Sequence, residues 1–279
     1  MIKSIVDKIK SGLGFPVAAR FPERPKFTLL TGVPRSGTTL CCYLLSQIPD
    51  VVALNESIRV AHIEEVANSV DFTMDFMRRN RRTLLKKGFA VSRATKEGFT
   101  DNNFASIEGA RKTLVKKQRV QVDKSLSKDL HLIVKHNAFF TMLLPEFQQA
   151  FPVHAIIRNP LAVLGSWNSL DIPVSRGEVR AARKFAPKLQ DALDQLPDLY
   201  DRQLFILDWY FDKYRPLSDQ QIIRYEALIA SNGAALQRVE PKVLTDLNVD
   251  LSSKNKSKLY DQDLIKKLAE RLLKTDNAC

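Results

Sequence analysis

The chain has 279 residues, of which 44% are hydrophobic and 27% charged, and its formal net charge is +12. This length suits one large or two small domains with a sizeable core, and the charge favours anionic partners such as a nucleotide, an acidic glycan or a membrane surface. Only three cysteines are present and no apolar run approaches 18 residues, which excludes a disulfide framework and a transmembrane helix, so we predict a cytoplasmic protein.

Residues 1–25 are predicted to form an N-terminal helix followed by a linker. Ile2, Ile5, Val6 and Ile9 fall on one helical face, and residues 1–10 lack the continuous apolar core of a signal peptide. The simplest interpretation is a helix docked on the protein. The alternative is peripheral contact with a membrane through residues 1–13.

Short apolar runs alternate with helical patterns along the rest of the chain. The strand candidates are residues 27–31, 51–54, 132–135, 153–157 and 221–224, and the helix candidates are about 40–48, 138–150 and 261–274, with further helices beginning at Pro160 and Tyr225. Such alternation predicts an α/β fold in three layers, with a central parallel sheet flanked by helices. We expect a single domain over residues 1–279, in which residues 58–130 form a mainly helical insertion on the substrate side.

A glycine-punctuated loop, residues 32–39 with the sequence GVPRSGTT, lies between the first strand candidate and the first helix candidate. This arrangement binds phosphate, because amide groups at a helix N-terminus have no intrahelical partner. Gly32 and Gly37 keep the spacing of a nucleoside-triphosphate P-loop, but Thr38 stands in place of its lysine and the cation is Arg35. The loop therefore predicts a P-loop fold with a different phosphate ligand; the alternative is a tight turn that binds nothing.

A second candidate phosphate site begins at Arg158, which ends a strand candidate. Ser166 lies two helical turns further on, so a guanidinium and a hydroxyl could share one phosphate. Asn159 and Pro160 form a helix N-cap and first turn, which is also a common structural junction. Because ligands in parallel sheets bind at the carboxyl ends of strands, we expect Arg158 to converge with Arg35, Glu56 and Lys135.

These two motifs resemble those of the sulfotransferases that use 3′-phosphoadenosine-5′-phosphosulfate (PAPS) as donor. The loop is similar to their 5′-phosphosulfate loop, above all in the tyrosylprotein, carbohydrate and bacterial branches, and the Arg158 segment is similar to their 3′-phosphate motif. The resemblance covers about residues 27–57 and 131–230. It implies a P-loop sulfotransferase that needs no metal, whose donor ligands are Arg35, Ser36, Gly37, Thr38, Thr39, Arg158 and Ser166.

The resemblance also implies a reacting centre. Lys135 takes the place of the family's strand-end lysine and, with Arg35, would stabilise the leaving phosphate. Glu56 follows Arg35 by 21 residues, a spacing similar to that of the catalytic glutamate in tyrosylprotein sulfotransferases, and is the first candidate for the base. His136 is the alternative base, because the cytosolic branch has a histidine two places after its lysine. A loop at residues 252–256 is expected to close over the nucleotide.

Two other functions are compatible with parts of the sequence. A small-molecule P-loop kinase would need the missing loop lysine and a Mg²⁺-binding aspartate at a strand end. A non-enzymatic module that binds anions or nucleic acid could use residues 76–135, where 16 Lys and Arg stand against 5 Asp and Glu. That stretch lacks an RNA-binding signature, so we expect no nucleic acid; it would form solvated surface, line a channel for an anionic acceptor or touch a membrane. The acceptor could be a hydroxyl of a glycan, lipid, metabolite or protein.

Overall fold

The computed structural model of the protein describes residues 26–107 and 110–273. The expected N-terminal helix, its membrane contact through residues 1–13 and the end of the terminal helix lie outside the described residues. The strands are β1 (Phe27–Gly32), β2 (Val51–Asn55), β3 (Phe89–Ala94), β4 (Phe104–Ile107), β5 (Ala110–Thr113), β6 (Lys116–Gln121), β7 (His131–Lys135), β8 (Val153–Ile157) and β9 (Ile222–Arg224). The helices are α1 (Thr38–Leu45), α2 (Ser69–Lys87), α3 (Asn137–Met142), α4 (Leu144–Ala150), α5 (Pro160–Asn168), α6 (Ala182–Phe185), α7 (Pro187–Asp194), α8 (Leu199–Tyr214), α9 (Tyr225–Ala230), α10 (Val243–Asp246) and α11 (Gln262–Leu272).

Five parallel strands form the central sheet in the order β2-β7-β1-β8-β9. Successive side chains of a strand point to opposite faces, and here both faces are buried. Leu29 packs into one core with residues of α2, α3, α4, α5 and α8, whereas Leu30 packs into a second core with residues of α1, α9 and α10. The predicted α/β architecture, a parallel sheet covered by helices on both faces, is confirmed.

The five sheet strands begin and end within about one residue of their predicted positions. The single helix expected over residues 138–150 is divided into α3 and α4, and Pro145 stands in the first turn of α4, where it has no amide hydrogen to continue a helix from α3. No helix in the described ranges is long and apolar enough to cross a membrane.

The prediction of a mainly helical insertion over residues 58–130 was wrong beyond residue 87. Helix α2 stops because Gly88 adopts a left-handed conformation, with φ of 68°, and its amide donates to the carbonyl of Leu84. After it, buried Ala90 and Ser92 alternate with more exposed neighbours, which is the pattern of a strand. Strand β3 pairs antiparallel with β6, and β4 pairs antiparallel with β5.

This β-rich insertion docks on the end of β2. The amide of Asn55 donates to Ser92 Oγ at 2.9 Å, and the Asn55 side chain donates to Asn103 Oδ1 at 3.0 Å. The insertion therefore covers the carboxyl edge of the sheet, where the predicted site residues lie.

Candidate active site

The loop of residues 32–39 connects β1 to α1, as predicted. Gly37 has φ of 94°, and a Cβ atom there would lie 2.7 Å from the ring of Tyr225, so only glycine fits. The Ser36 hydroxyl donates to the carbonyl of Ile156 at 2.8 Å and is fully buried. This side chain therefore anchors the loop to β8 instead of facing the cleft, and its predicted role as a donor ligand stays a prediction.

Arg35 lies at the centre of the site in a left-handed conformation, with φ of 72°. Its Nε donates to Ser166 Oγ at 3.1 Å, and its Nη2 donates to Asn102 Oδ1 at 3.4 Å. The guanidinium carbon stands 5.0 Å from the ring centroid of Phe104. Burial, followed by the charge of Arg111, lowers the pKa of Arg35 to about 10, so the side chain is charged at neutral pH.

Arg158 joins the second predicted motif to the first. Its Nη1 donates to the carbonyl oxygen of Arg35 at 3.0 Å, and its Nε donates to Asn255 Oδ1 at 2.8 Å. The guanidinium carbon lies 4.4 Å from the ring centroid of Tyr225, whose hydroxyl accepts from the amide of Lys254 at 3.0 Å. The loop of residues 252–256 thus lies against Arg158, beside the place where the sequence predicts the nucleotide.

Glu56, Lys135 and Arg93 form a second charged cluster. Lys135 Nζ lies 3.1 Å from Glu56 Oε1, and Arg93 Nη1 lies 2.9 Å from Glu56 Oε2. The Lys135 side chain is 1% exposed, whereas that of Glu56 is 23% exposed. Burial alone would raise the pKa of Glu56, but the charge of Lys135, the His136 ring and the charge of Arg93 outweigh it and hold that pKa well below its usual range.

Glu56 has φ of 42°, and with Arg35 it is one of the few non-glycine residues in the left-handed region. Such conformations cost about 1–3 kcal/mol and cluster at functional sites. The backbone amide of Glu56 donates to the carbonyl of Lys135 at 2.8 Å, which helps to hold the turn. Two of the predicted catalytic residues therefore carry backbone strain.

His136 lies next to this cluster, with its ring edge-on to Phe139 and Phe140 at centroid distances of 5.6 Å and 6.0 Å. Burial lowers its pKa to about 4, and this outweighs the opposite effect of Glu56. The imidazole is therefore neutral at neutral pH.

One cleft of about 840 Å³ joins most of these groups. The predicted site residues that line it are Arg35, Thr38, Thr39, Glu56, Lys135 and His136. Arg158 and Ser166 are buried, and each forms a hydrogen bond with Arg35, which lines the cleft. The structure therefore brings together the two phosphate motifs and the predicted reacting centre.

Sequence reasoning did not find the site residues contributed by the insertion. Arg93 belongs to β3. Phe104 and Arg111 belong to the β4–β5 hairpin, and Asn102 lies just before it. The alternation that follows Gly88 was the available signal for β3. No motif marks the hairpin residues, because their positions depend on how the insertion folds back over the loop.

Comparisons with known proteins point to one family. The model of the sulfotransferase family matches residues 28–243, more than half of the chain. The crystal structure of sulfotransferase STF9 from Mycobacterium avium is similar at 13% identity and a TM-score of 0.36, over 99% of this chain and 81% of that one. No curated protein sequence matches the chain.

Proposed function

We propose that this chain, which belongs to the sulfotransferase family, transfers a sulfuryl group from PAPS to a hydroxyl or amine acceptor by in-line displacement. The observation that carries the proposal is the direct contact between the two phosphate motifs. Arg35 Nε lies 3.1 Å from Ser166 Oγ, and Arg158 Nη1 lies 3.0 Å from the Arg35 carbonyl. A nucleotide with phosphate groups at both ends of its ribose could contact both motifs at once.

The residues present suit such a donor. Arg35 and the first-turn amides at Thr38 and Thr39 would hold the 5′ end, since a helix N-terminus favours an anion. Arg158 and Ser166 would hold the 3′-phosphate. Among the described residues, no carboxylate pairs with Arg35 or Arg158, so both guanidinium groups are available to an anion.

The donor supplies the sulfuryl group, and the cluster at Glu56 supplies the proton acceptor. In the transfer, a bond forms between the acceptor oxygen and sulfur, the bond from sulfur to the phosphate oxygen breaks, and the acceptor proton passes to Glu56. Lys135 and Arg35 stabilise the charge that develops on the leaving phosphate. Because Lys135 bonds to Glu56 in this structure, its movement towards the phosphate would remove the strongest cationic influence on Glu56 and raise its basicity.

His136 is the second candidate for the base, since it is neutral and lines the same cleft. Glu56 is favoured because it contacts Lys135 directly, which couples the base to the cation at the leaving group. The two assignments predict different mutant behaviour.

The acceptor would bind in the part of the cleft beyond Glu56. Its wall there combines apolar side chains with cations: Ile58, Val60, Phe139, Met142, Ile172, Val174, Arg59, Lys117 and Arg180. Burial, together with the charges of Arg59 and Arg93, lowers the pKa of Lys117. Several positive charges therefore lie close together in this part of the cleft. An acceptor with an anionic group near its hydroxyl would relieve that repulsion, and part of the basic stretch would then serve substrate binding.

A thermal-shift screen tests the proposal against its two rivals. The ligands are 3′-phosphoadenosine 5′-phosphate (PAP), ATP with Mg²⁺ and a single-stranded oligonucleotide. We expect PAP to raise the melting temperature most, with little effect of the other two. A dominant shift with ATP and Mg²⁺ would support a kinase, and one with the oligonucleotide would support a nucleic-acid-binding module.

A further inference from the structure

The β4–β5 hairpin places an additional arginine beside the two phosphate motifs. Arg111 of β5 donates from Nη1 to Ser169 Oγ at 2.7 Å, and Ser169 Oγ donates to the carbonyl of Ser166 at 3.0 Å. Just before the same hairpin, Asn102 accepts from Arg35, and Phe104 of β4 packs against the Arg35 guanidinium. The hairpin therefore lies over the phosphate loop and the C-terminal end of α5.

Arg35, Arg111 and Arg158 bring three guanidinium groups to this point. Arg35, Arg111 and Arg158 each donate to neutral oxygen atoms of serine, asparagine, tyrosine or the backbone, and none pairs with a carboxylate in the described part of the chain. Arg111 and Arg158 both contribute to the lowered pKa of Arg35, after burial, which indicates that the three charges act on one another.

Such a cluster needs an anion. Buried like charges repel one another in a medium of low dielectric, and desolvation adds to the cost. A phosphate monoester carries a charge of about −1.5 to −2 at neutral pH and three acceptor oxygens, enough to neutralise two guanidinium groups. One phosphate and a second anionic group would together satisfy all three arginines.

We propose that Arg111 is a third ligand of the donor's 3′-phosphate, supplied by the inserted hairpin in addition to Arg158 and Ser166. This inference rests on the proposed function, because it concerns the same nucleotide. The 3′ side is favoured over the 5′ side because Arg111 donates to Ser169, the residue directly after α5 and three residues beyond Ser166, whereas the 5′ end is assigned to the start of α1. A planar guanidinium at that position can donate two parallel hydrogen bonds to phosphate oxygens.

Calorimetric titration of the full chain with PAP and with adenosine 5′-phosphate, which lacks the 3′-phosphate, tests the role of Arg111. Arg111→Met should weaken PAP binding by roughly tenfold to hundredfold, the fold-change that corresponds to a charged hydrogen bond. Binding of adenosine 5′-phosphate should change by less than about threefold. A purely structural role would weaken both ligands alike.

Lys112→Met is the matched control, because it removes the same charge from the next residue of the strand, whose side chain is exposed. It should leave both affinities within about threefold. Arg111→Lys keeps the charge but loses the planar guanidinium with its two parallel donors, so it should weaken the binding of PAP alone, and by less than Arg111→Met does. It serves as the test variant if Arg111→Met does not fold. Equal losses for both nucleotides, or none, would refute the role of Arg111 while leaving the proposed function intact. Failure of the wild type to bind PAP would instead refute the proposed function and this inference with it.

Discussion

Replacement of Glu56 by glutamine tests the proposed base and the charge cluster together. The amide keeps the shape of the side chain but cannot accept the acceptor's proton. Loss of a positioned general base costs about 10²- to 10⁴-fold in rate, and we expect kcat to fall by that amount. The phosphate ligands are elsewhere, so PAP affinity should stay within about threefold.

The same substitution should also lower stability, and the structure sets the size of the effect. Glu56 is the carboxylate partner of Lys135, whose side chain is only 1% exposed. Breaking a buried ion pair costs about 3–5 kcal/mol, but the glutamine oxygen can still accept a hydrogen bond from Lys135, which leaves a net loss of about 1–3 kcal/mol. At about 2–4 °C per kcal/mol, the melting temperature should fall by about 2–12 °C.

The assay measures PAP release with an acceptor that supports turnover, or with water as acceptor, well below the melting temperature of the variant. His136→Ala is assayed in parallel and should cost far less activity. Arg93→Met removes the other partner of Glu56 but leaves the carboxylate, so it should retain most of kcat. If Glu56→Gln keeps most activity and His136→Ala loses it, the base is His136 and the reasoning from the Lys135 contact is refuted.

Three further predictions concern the nucleotide, the pH dependence and metal ions. Arg158→Ala should weaken PAP binding by about 1.5–3 kcal/mol in calorimetry but hardly change binding of adenosine 5′-phosphosulfate; equal losses would show that Arg158 does not contact the 3′-phosphate. Burial lowers the pKa of His136 and His154 to about 4. As the pH falls below about 6.5, these two histidines therefore take up protons in the unfolded chain but not in the folded one, which favours unfolding. The melting temperature should therefore fall between pH 6.5 and pH 4, and less steeply in His154→Gln; a flat profile would contradict the burial of these rings. A chelator should leave turnover within about twofold, whereas strict dependence on Mg²⁺ with ATP hydrolysis would favour the kinase.

The sheet could be predicted from the sequence because its strands are short apolar runs, separated by helices with recognisable start signals. Asn159 illustrates this: its side chain accepts from the amide of Ala162 at 3.1 Å, as expected of an N-cap before Pro160. The convergence of Arg35, Glu56, Lys135 and Arg158 also followed from their positions after parallel strands.

The insertion could not be predicted to the same extent. Its strands are short, charged and half-exposed, so the apolar signal is weak and the stop at Gly88 carries most of the information. The placement of Arg93 and Arg111 depends on long-range packing against β2 and α5, which local sequence patterns do not encode. The lowered pKa of Glu56 could not be predicted for the same reason, since one of its cationic partners comes from β3.

The most direct test of the central claim is the affinity of the wild-type chain for PAP compared with its two monophosphates, adenosine 5′-phosphate and adenosine 3′-phosphate. If the two motifs form one site, PAP contacts both at once and should bind at least about 100-fold more tightly than either monophosphate, the worth of two charged hydrogen bonds at about 1.5 kcal/mol each. An affinity for PAP no greater than that for adenosine 5′-phosphate would show that Arg158 and Ser166 do not bind the 3′-phosphate, and would contradict the account.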